Sequence, residues 1–181
     1  GGGVWWNQTS STWVVPNNPP AAPTNLSTPL LYFYNGIASY FSGGAAILQP
    51  VLQWGLSPAG GSSTNPFWAM GSWYVVSNGS NQYAAPPITQ VYPGDTVVGT
   101  VSVLDTVECS LADGTGCTYA VSWVDTTTGS SSTIEYETPY KYTVAFPAVL
   151  EAYDVYYCNE YPSSPVTFFG TTQSLPGPSV A

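Results

Sequence analysis

The chain has 181 residues, ten carboxylates against a single basic side chain (Lys141), no histidine and a net charge of −9, with only 6% of its residues charged. Without a basic footprint to neutralise phosphates, it is excluded from nucleic-acid binding and from adsorption to anionic membranes. No apolar run reaches the roughly 20 residues of a membrane-spanning helix, and the 15% aromatic content argues against disorder.

The periodic signals all have period two and are bounded by Gly, Pro, Asn or Ser. In chain order the predicted strands are Ser11–Val15, Leu30–Tyr34, Ala46–Gln53, Phe67–Val76, Thr96–Leu104, Tyr119–Asp125, Ser132–Glu137, Tyr142–Phe146, Leu150–Cys158 and Thr167–Thr171. This spacing predicts an all-β, antiparallel β-sandwich of the concanavalin A-like or jelly-roll type, with residues 1–181 as a single domain. Residues 16–29 hold five prolines and read as an extended loop; residues 172–181 read as an extended C-terminal tail. Pro93-Gly94 marks a turn, and Asp125–Gly129 reads as a hairpin with Gly129 at positive φ.

Several features point to a secreted glycoprotein. Asn7-Gln8-Thr9, Asn25-Leu26-Ser27 and Asn78-Gly79-Ser80 are acceptor sequons, which makes Asn7, Asn25 and Asn78 the expected glycosylation sites. Cys109 and Cys117 bracket a Gly-rich turn and read as a local disulfide. Cys158 is left over, either a buried thiol or the true partner of one of the other two. The Gly1-Gly2-Gly3 start, without a signal segment, reads as a mature form. With almost no cationic partners for its carboxylates and no histidine to charge, the chain is expected to tolerate low pH.

The missing histidine removes Ser-His and Cys-His nucleophilic chemistry, and no phosphate loop is present. No cofactor or metal is expected. Asp105, Glu108 and Asp113 offer oxygen ligands of the kind calcium uses, against the plainer reading of a solvated loop. Glu135 and Glu137 share one strand face, as paired carboxylates in a glycosidase do, but alternating Glu also protects an exposed sheet edge. Most of the seven tryptophans and fourteen tyrosines are expected in the core; Trp54, Trp68 and Trp73 are the ones set near the Gln49 strand.

Ile47-Leu48-Gln49 resembles the Ile-Leu-Gln strand of the glutamic peptidases (eqolisins) of fungi. Phe67-Trp68-Ala69-Met70-Gly71-Ser72-Trp73-Tyr74 is similar to their aromatic strand, Gly94-Asp95 to their Gly-Asp turn, and Thr127-Thr128-Gly129 to their hairpin. Leu150-Glu151-Ala152-Tyr153 falls where that family places Ala-Glu-Trp, and Ser11–Pro16 resembles its early Thr-Val-Pro strand. The chain departs from the pattern in following Gln49 with Pro50-Val51-Leu52-Gln53 and Glu151 with Ala152-Tyr153. The resemblance implies a lectin-like sandwich and an acid endopeptidase, with Glu151 as general acid or base and Gln49 as oxyanion stabiliser. A carboxylate activates water while a neutral amide donates to the developing oxyanion, and neither role needs a cation. Gln53, Trp54, Trp68, Trp73 and Tyr153 are then expected to shape the substrate site, with the Gln49 and Glu151 strands adjacent in one sheet. The partner is a polypeptide substrate; the alternative is a non-catalytic extracellular or cell-wall protein that binds glycans or self-associates.

Overall fold

The computed structural model describes residues 5–20, 28–77, 81–85, 87–104 and 116–175. Within them the alternating pattern forms eleven strands: β1 (Gln8–Val14), β2 (Leu30–Phe41), β3 (Gly44–Trp54), β4 (Trp68–Ser77), β5 (Asn81–Ala84), β6 (Thr89–Gln90), β7 (Thr96–Val103), β8 (Cys117–Asp125), β9 (Ser131–Thr138), β10 (Val144–Tyr153) and β11 (Phe168–Ser174). One sheet runs β11-β1-β7-β8-β9 and the other β10-β2-β3-β4-β5, with β6 added to β4. The pairings are antiparallel. The result is the all-β sandwich that the strand spacing predicts.

The differences from the predicted strands have local causes. β2 continues seven residues past Tyr34, through Asn35-Gly36, a dipeptide that ordinarily punctuates a chain. Here Asn35 is buried and donates through Nδ2 to the Gly99 carbonyl at 3.2 Å. A Cβ on Gly36 would lie 2.5 Å from the Leu48 carbonyl oxygen, so β3 approaches too closely for any other residue. The predicted break at Pro147 is instead a bulge within β10, where the register against β2 shifts between Phe146 and Val149. β10 ends at Tyr153, short of the predicted Cys158, because Asp154 takes a positive φ of 51°. β11 continues to Ser174, opposite Gln8, so residues 172–174 are paired backbone.

The predicted turns are seen directly. Gly94 and Gly129 have φ of 94° and 81°, and the Gly129 amide donates to the Asp125 carbonyl at 2.8 Å. Between the sheets, Trp13, Leu31, Phe33, Leu52, Trp54 and Trp68 build one apolar cluster; Ile37, Leu48, Val101, Tyr119, Val121 and Tyr142 build a second. A third cluster, around Tyr34, Val51 and Trp73, contains none of these residues and lies on the other face of the six-stranded sheet. That face carries the candidate site.

Candidate functional site

Strand parity decides which side chains reach this face. On β3, Ala46, Leu48, Leu52 and Trp54 turn to the inter-sheet core, which leaves Ile47, Gln49, Val51 and Gln53 on the outer face. On β2 the outer residues are Leu30, Tyr32 and Tyr34, on β4 Trp73 and Val75, and on β10 Glu151 and Tyr153. A cleft of about 360 Å³ opens on this face, and its walls include Gln49, Glu151, Tyr32, Trp73, Tyr83 and Tyr153. An edge-to-face row of rings crosses it: Tyr153 to Tyr32 at 6.0 Å, Tyr32 to Trp73 at 5.9 Å and Trp73 to Tyr83 at 5.7 Å between centroids.

Gln49 and Glu151 therefore share a sheet, a face and a cleft, but their strands are not adjacent as expected, because β2 lies between them. Nor do they lie in one row. Glu151 pairs with Tyr32, and Tyr32 with Gln53. Gln49 is thus roughly 13 Å along β3 from the Glu151 row and roughly 10 Å across the sheet from β10. No direct hydrogen bond joins the two side chains.

Glu151 takes its partners from tyrosines. Tyr34 donates its hydroxyl to Oε1 at 2.6 Å, and Tyr153 donates to Oε2 at 3.4 Å. Burial, and then the bond to Glu151, pushes the Tyr34 phenol far above the usual tyrosine range. Tyr32 is pushed up to about 12, chiefly by burial. Burial and the neighbouring Glu151 charge also raise Tyr153. These phenols stay protonated, and so remain donors, throughout the acid and neutral range.

Gln49 is 8% exposed, and its Oε1 is buried without a hydrogen-bond partner. The amide nitrogen is the end left to the cleft. Gly36 supplies the space: a Cβ there would stand 3.2 Å from the Gln49 Cβ.

The other expected site residues divide. Trp73 and Tyr153 line the cleft. Trp54 and Trp68 do not: they pair across β3 and β4 with ring centroids 5.1 Å apart, inside the inter-sheet core. Parity explains it, since Trp54 is an odd number of residues from Gln49, and Trp68 from Trp73. Gln53 is on the correct face but fully buried beneath the loop that follows β3. Its Nε2 donates to the Gly60 and Gly55 carbonyls at 3.0 and 3.3 Å, and its Oε1 accepts from Ser57 at 2.9 Å. Pro58 of that loop forms a wall of the cleft. Gln53 thus holds the wall and does not present itself to a ligand.

Sequence reasoning passed over Tyr32, Tyr34 and Tyr83. Residues 30–34 are apolar or aromatic throughout, since β2 buries one face in the sandwich and the other beneath the cleft. That pattern erases the alternation that would have separated the faces. It also passed over Glu160, only 2% exposed, whose Oε2 accepts from the Tyr156 and Tyr157 amides at 2.6 and 2.8 Å.

Asn25, Asn78 and Cys109, like Asp105, Glu108 and Asp113, lie outside the described residues. Asn7 is half-buried and accepts through Oδ1 from the Ser174 hydroxyl at 2.7 Å. Cys117 is buried, whereas Cys158 is free and exposed rather than a buried thiol. Glu135 and Glu137 point to solvent from β9, an edge strand of the five-stranded sheet, away from the cleft. Among the described residues no group of three or more His, Cys, Asp or Glu is placed to hold a metal ion.

Fold and cleft together define a class: a two-sheet antiparallel sandwich with a glutamate and a glutamine on the outer face of one sheet. Among solved structures the chain is similar to scytalidoglutamic peptidase, determined with a transition state analog inhibitor, at 18% identity and a TM-score of 0.51, over 95% of this chain and 76% of that one. It is also similar to SCP-B, a member of the eqolisin family of peptidases in complex with the tripeptide Ala-Ile-His, at 17% identity and a TM-score of 0.54, over 95% and 75% of the two chains. The fold is eqolisin-like, as the sequence resemblance implies. No family profile and no curated protein matches the sequence.

Proposed function

We propose that the cleft binds an extended polypeptide and hydrolyses it in acid, with Glu151 as the general base and then acid. The observation that carries this reading is a lone carboxylate, held by two phenols, in an aromatic-walled cleft of a fold whose solved examples hold a transition state analog and a tripeptide. Glu151 takes a proton from a water as that water adds to the scissile carbonyl carbon. The same proton then goes to the amide nitrogen as the C–N bond breaks. Gln49, whose Nε2 is the end left to the cleft, donates to the oxygen that becomes negative. The scissile peptide unit and its water lie in the cleft that both side chains line. The chain acts outside the cell as an acid-stable glycoprotein.

A second reading keeps the polypeptide and drops the hydrolysis. It is favoured by one feature: both Glu151 oxygens are already occupied by tyrosine hydroxyls, and Gln49 stands apart. Digestion of a denatured protein at about pH 3 by wild type and Glu151→Gln separates the two. Cleavage by wild type alone supports the hydrolase. Binding of the substrate by both proteins, with cleavage by neither, supports the second reading. Equal cleavage by both removes Glu151 from any chemistry.

A further inference from the structure

The two hydrogen bonds to Glu151 are unequal, and the inequality assigns a role to a residue that neither the resemblance nor the fold singles out. We propose that Tyr34 is the positioning residue of the site, fixing Glu151 Oε1 so that Oε2 is the oxygen presented to water and substrate. This rests on the hydrolase reading for its consequence in catalysis, but the pairing itself does not.

Four observations carry it. The Tyr34 hydroxyl lies 2.6 Å from Oε1, the length of a strong phenol–carboxylate bond, whereas the Tyr153 hydroxyl lies 3.4 Å from Oε2, near the limit of a hydrogen bond. Tyr34 is 3% exposed and packed with Val51 and Trp73, so its ring cannot swing to follow the carboxylate; Tyr153 is 52% exposed and can. β2 pairs directly with β10, so the rigid donor reaches the carboxylate from the neighbouring strand, whereas Tyr153 shares the strand of Glu151. Finally, the phenol keeps its proton in acid and at neutrality, so Tyr34 stays a donor to the ionised carboxylate across that range.

A single carboxylate on an open strand has free rotation about its last torsion and two equivalent oxygens. Fixing one oxygen removes that freedom, as the orienting third member of a nucleophile–base–orienter set does for its base. Oε1 is then the anchored oxygen and Oε2 the reactive one, and the weak Tyr153 contact is the one a substrate or water displaces. In hydrolysis the proton from water goes to Oε2 and returns from Oε2 to the leaving nitrogen, while the Tyr34 proton stays on its own oxygen.

Tyr34→Phe keeps the ring and deletes the donor, and Tyr153→Phe is the matched control. The first readout needs no activity: the rate at which a carbodiimide and an amine label Glu151, followed by peptide mapping of the full chain. Labelling is expected to rise several-fold in Tyr34→Phe and much less in Tyr153→Phe. Equal rates in wild type and Tyr34→Phe, with unchanged melting, overturn the proposal. The second readout is the kinetic split: kcat is expected to fall roughly tenfold in Tyr34→Phe with KM unchanged, as for a group that orients the base without holding substrate. A fall in Tyr153→Phe that equals or exceeds it reverses the assignment of the two oxygens. Should Glu151→Gln cleave as well as wild type, the hydrolase reading fails, and the labelling result still decides whether Tyr34 anchors the carboxylate.

Discussion

Two glutamines, four residues apart on one face of β3, have opposite fates. Gln53 is fully buried with both ends of its amide bonded, and the loop after β3 hangs on it. Gln49 is almost as buried, yet its oxygen has no partner. The carboxylates repeat the contrast. Asp125, 1% exposed, accepts from the Thr127 and Thr128 amides and the Thr128 hydroxyl at 2.8, 3.3 and 2.7 Å, all within its own turn. Glu151 is held only by phenols from other positions and faces a cleft. A polar group whose capacity is used up by local backbone builds the fold. One with capacity to spare, set in a cavity, is available to a ligand.

The largest test of this contrast is Gln53→Ala. It strips three hydrogen bonds from a buried site and releases the loop that carries Pro58, at a cost of about 3 kcal/mol in urea unfolding. Gly61→Ala acts on the same loop by another route, and should also destabilise it. Gly61 has φ of 111°, and a Cβ there would meet the Gly55 carbonyl oxygen at 2.1 Å. A cost for Gln53→Ala no greater than that of Gln49→Ala would erase the distinction between the two glutamines.

Asp125 gives the next effect, and it bears on acid tolerance. Burial pushes its carboxyl up, but the Thr128 hydroxyl and the Thr127 and Thr128 amides outweigh this and leave it below the usual carboxylate value. A group depressed in the folded state stabilises it above the unfolded pKa, and that contribution is lost as pH falls through the folded value. Stability should therefore decline below about pH 4, and Asp125→Asn, costing about 2 kcal/mol at neutral pH, should flatten that decline. The composition suggests tolerance because cationic partners are absent. It does not register that hydroxyls and amides also stabilise an ionised carboxylate. An unchanged acid slope in Asp125→Asn would show that the decline originates elsewhere.

The sandwich was legible in the sequence because alternation and turn residues agree: Pro93-Gly94 and Asp125–Gly129 adopt the geometry their residue types demand. The placement of Gln49 and Glu151 on one cleft was legible only through the family resemblance, since no local pattern says that β10 joins the sheet of β3. The intervening β2 was not, because strand order is set by packing between distant segments. Parity alone would have removed Trp54 and Trp68 from the site, as each is out of phase with the residue it was grouped with. Tyr34 was invisible for a different reason. In a strand buried on both faces, nothing in the sequence separates a tyrosine that packs from one whose hydroxyl meets a carboxylate.

The smallest expected effect is the most discriminating. Gln49→Leu replaces an amide whose oxygen is buried and unpaired by an apolar side chain of similar shape, at a position where Gly36 leaves room. Removing an unsatisfied buried acceptor in this way is close to neutral, so urea unfolding should change by no more than about 1 kcal/mol in either direction. The same substitution removes the cleft's only carboxamide donor among the described residues that face it, so cleavage or binding of a polypeptide at about pH 3 should drop sharply. A stability loss as large as that of Gln53→Ala would mean that Gln49 has a structural partner. Retained activity in a stable Gln49→Leu would assign the oxyanion to another donor, and the Tyr34 and Tyr153 hydroxyls are the nearest to Glu151.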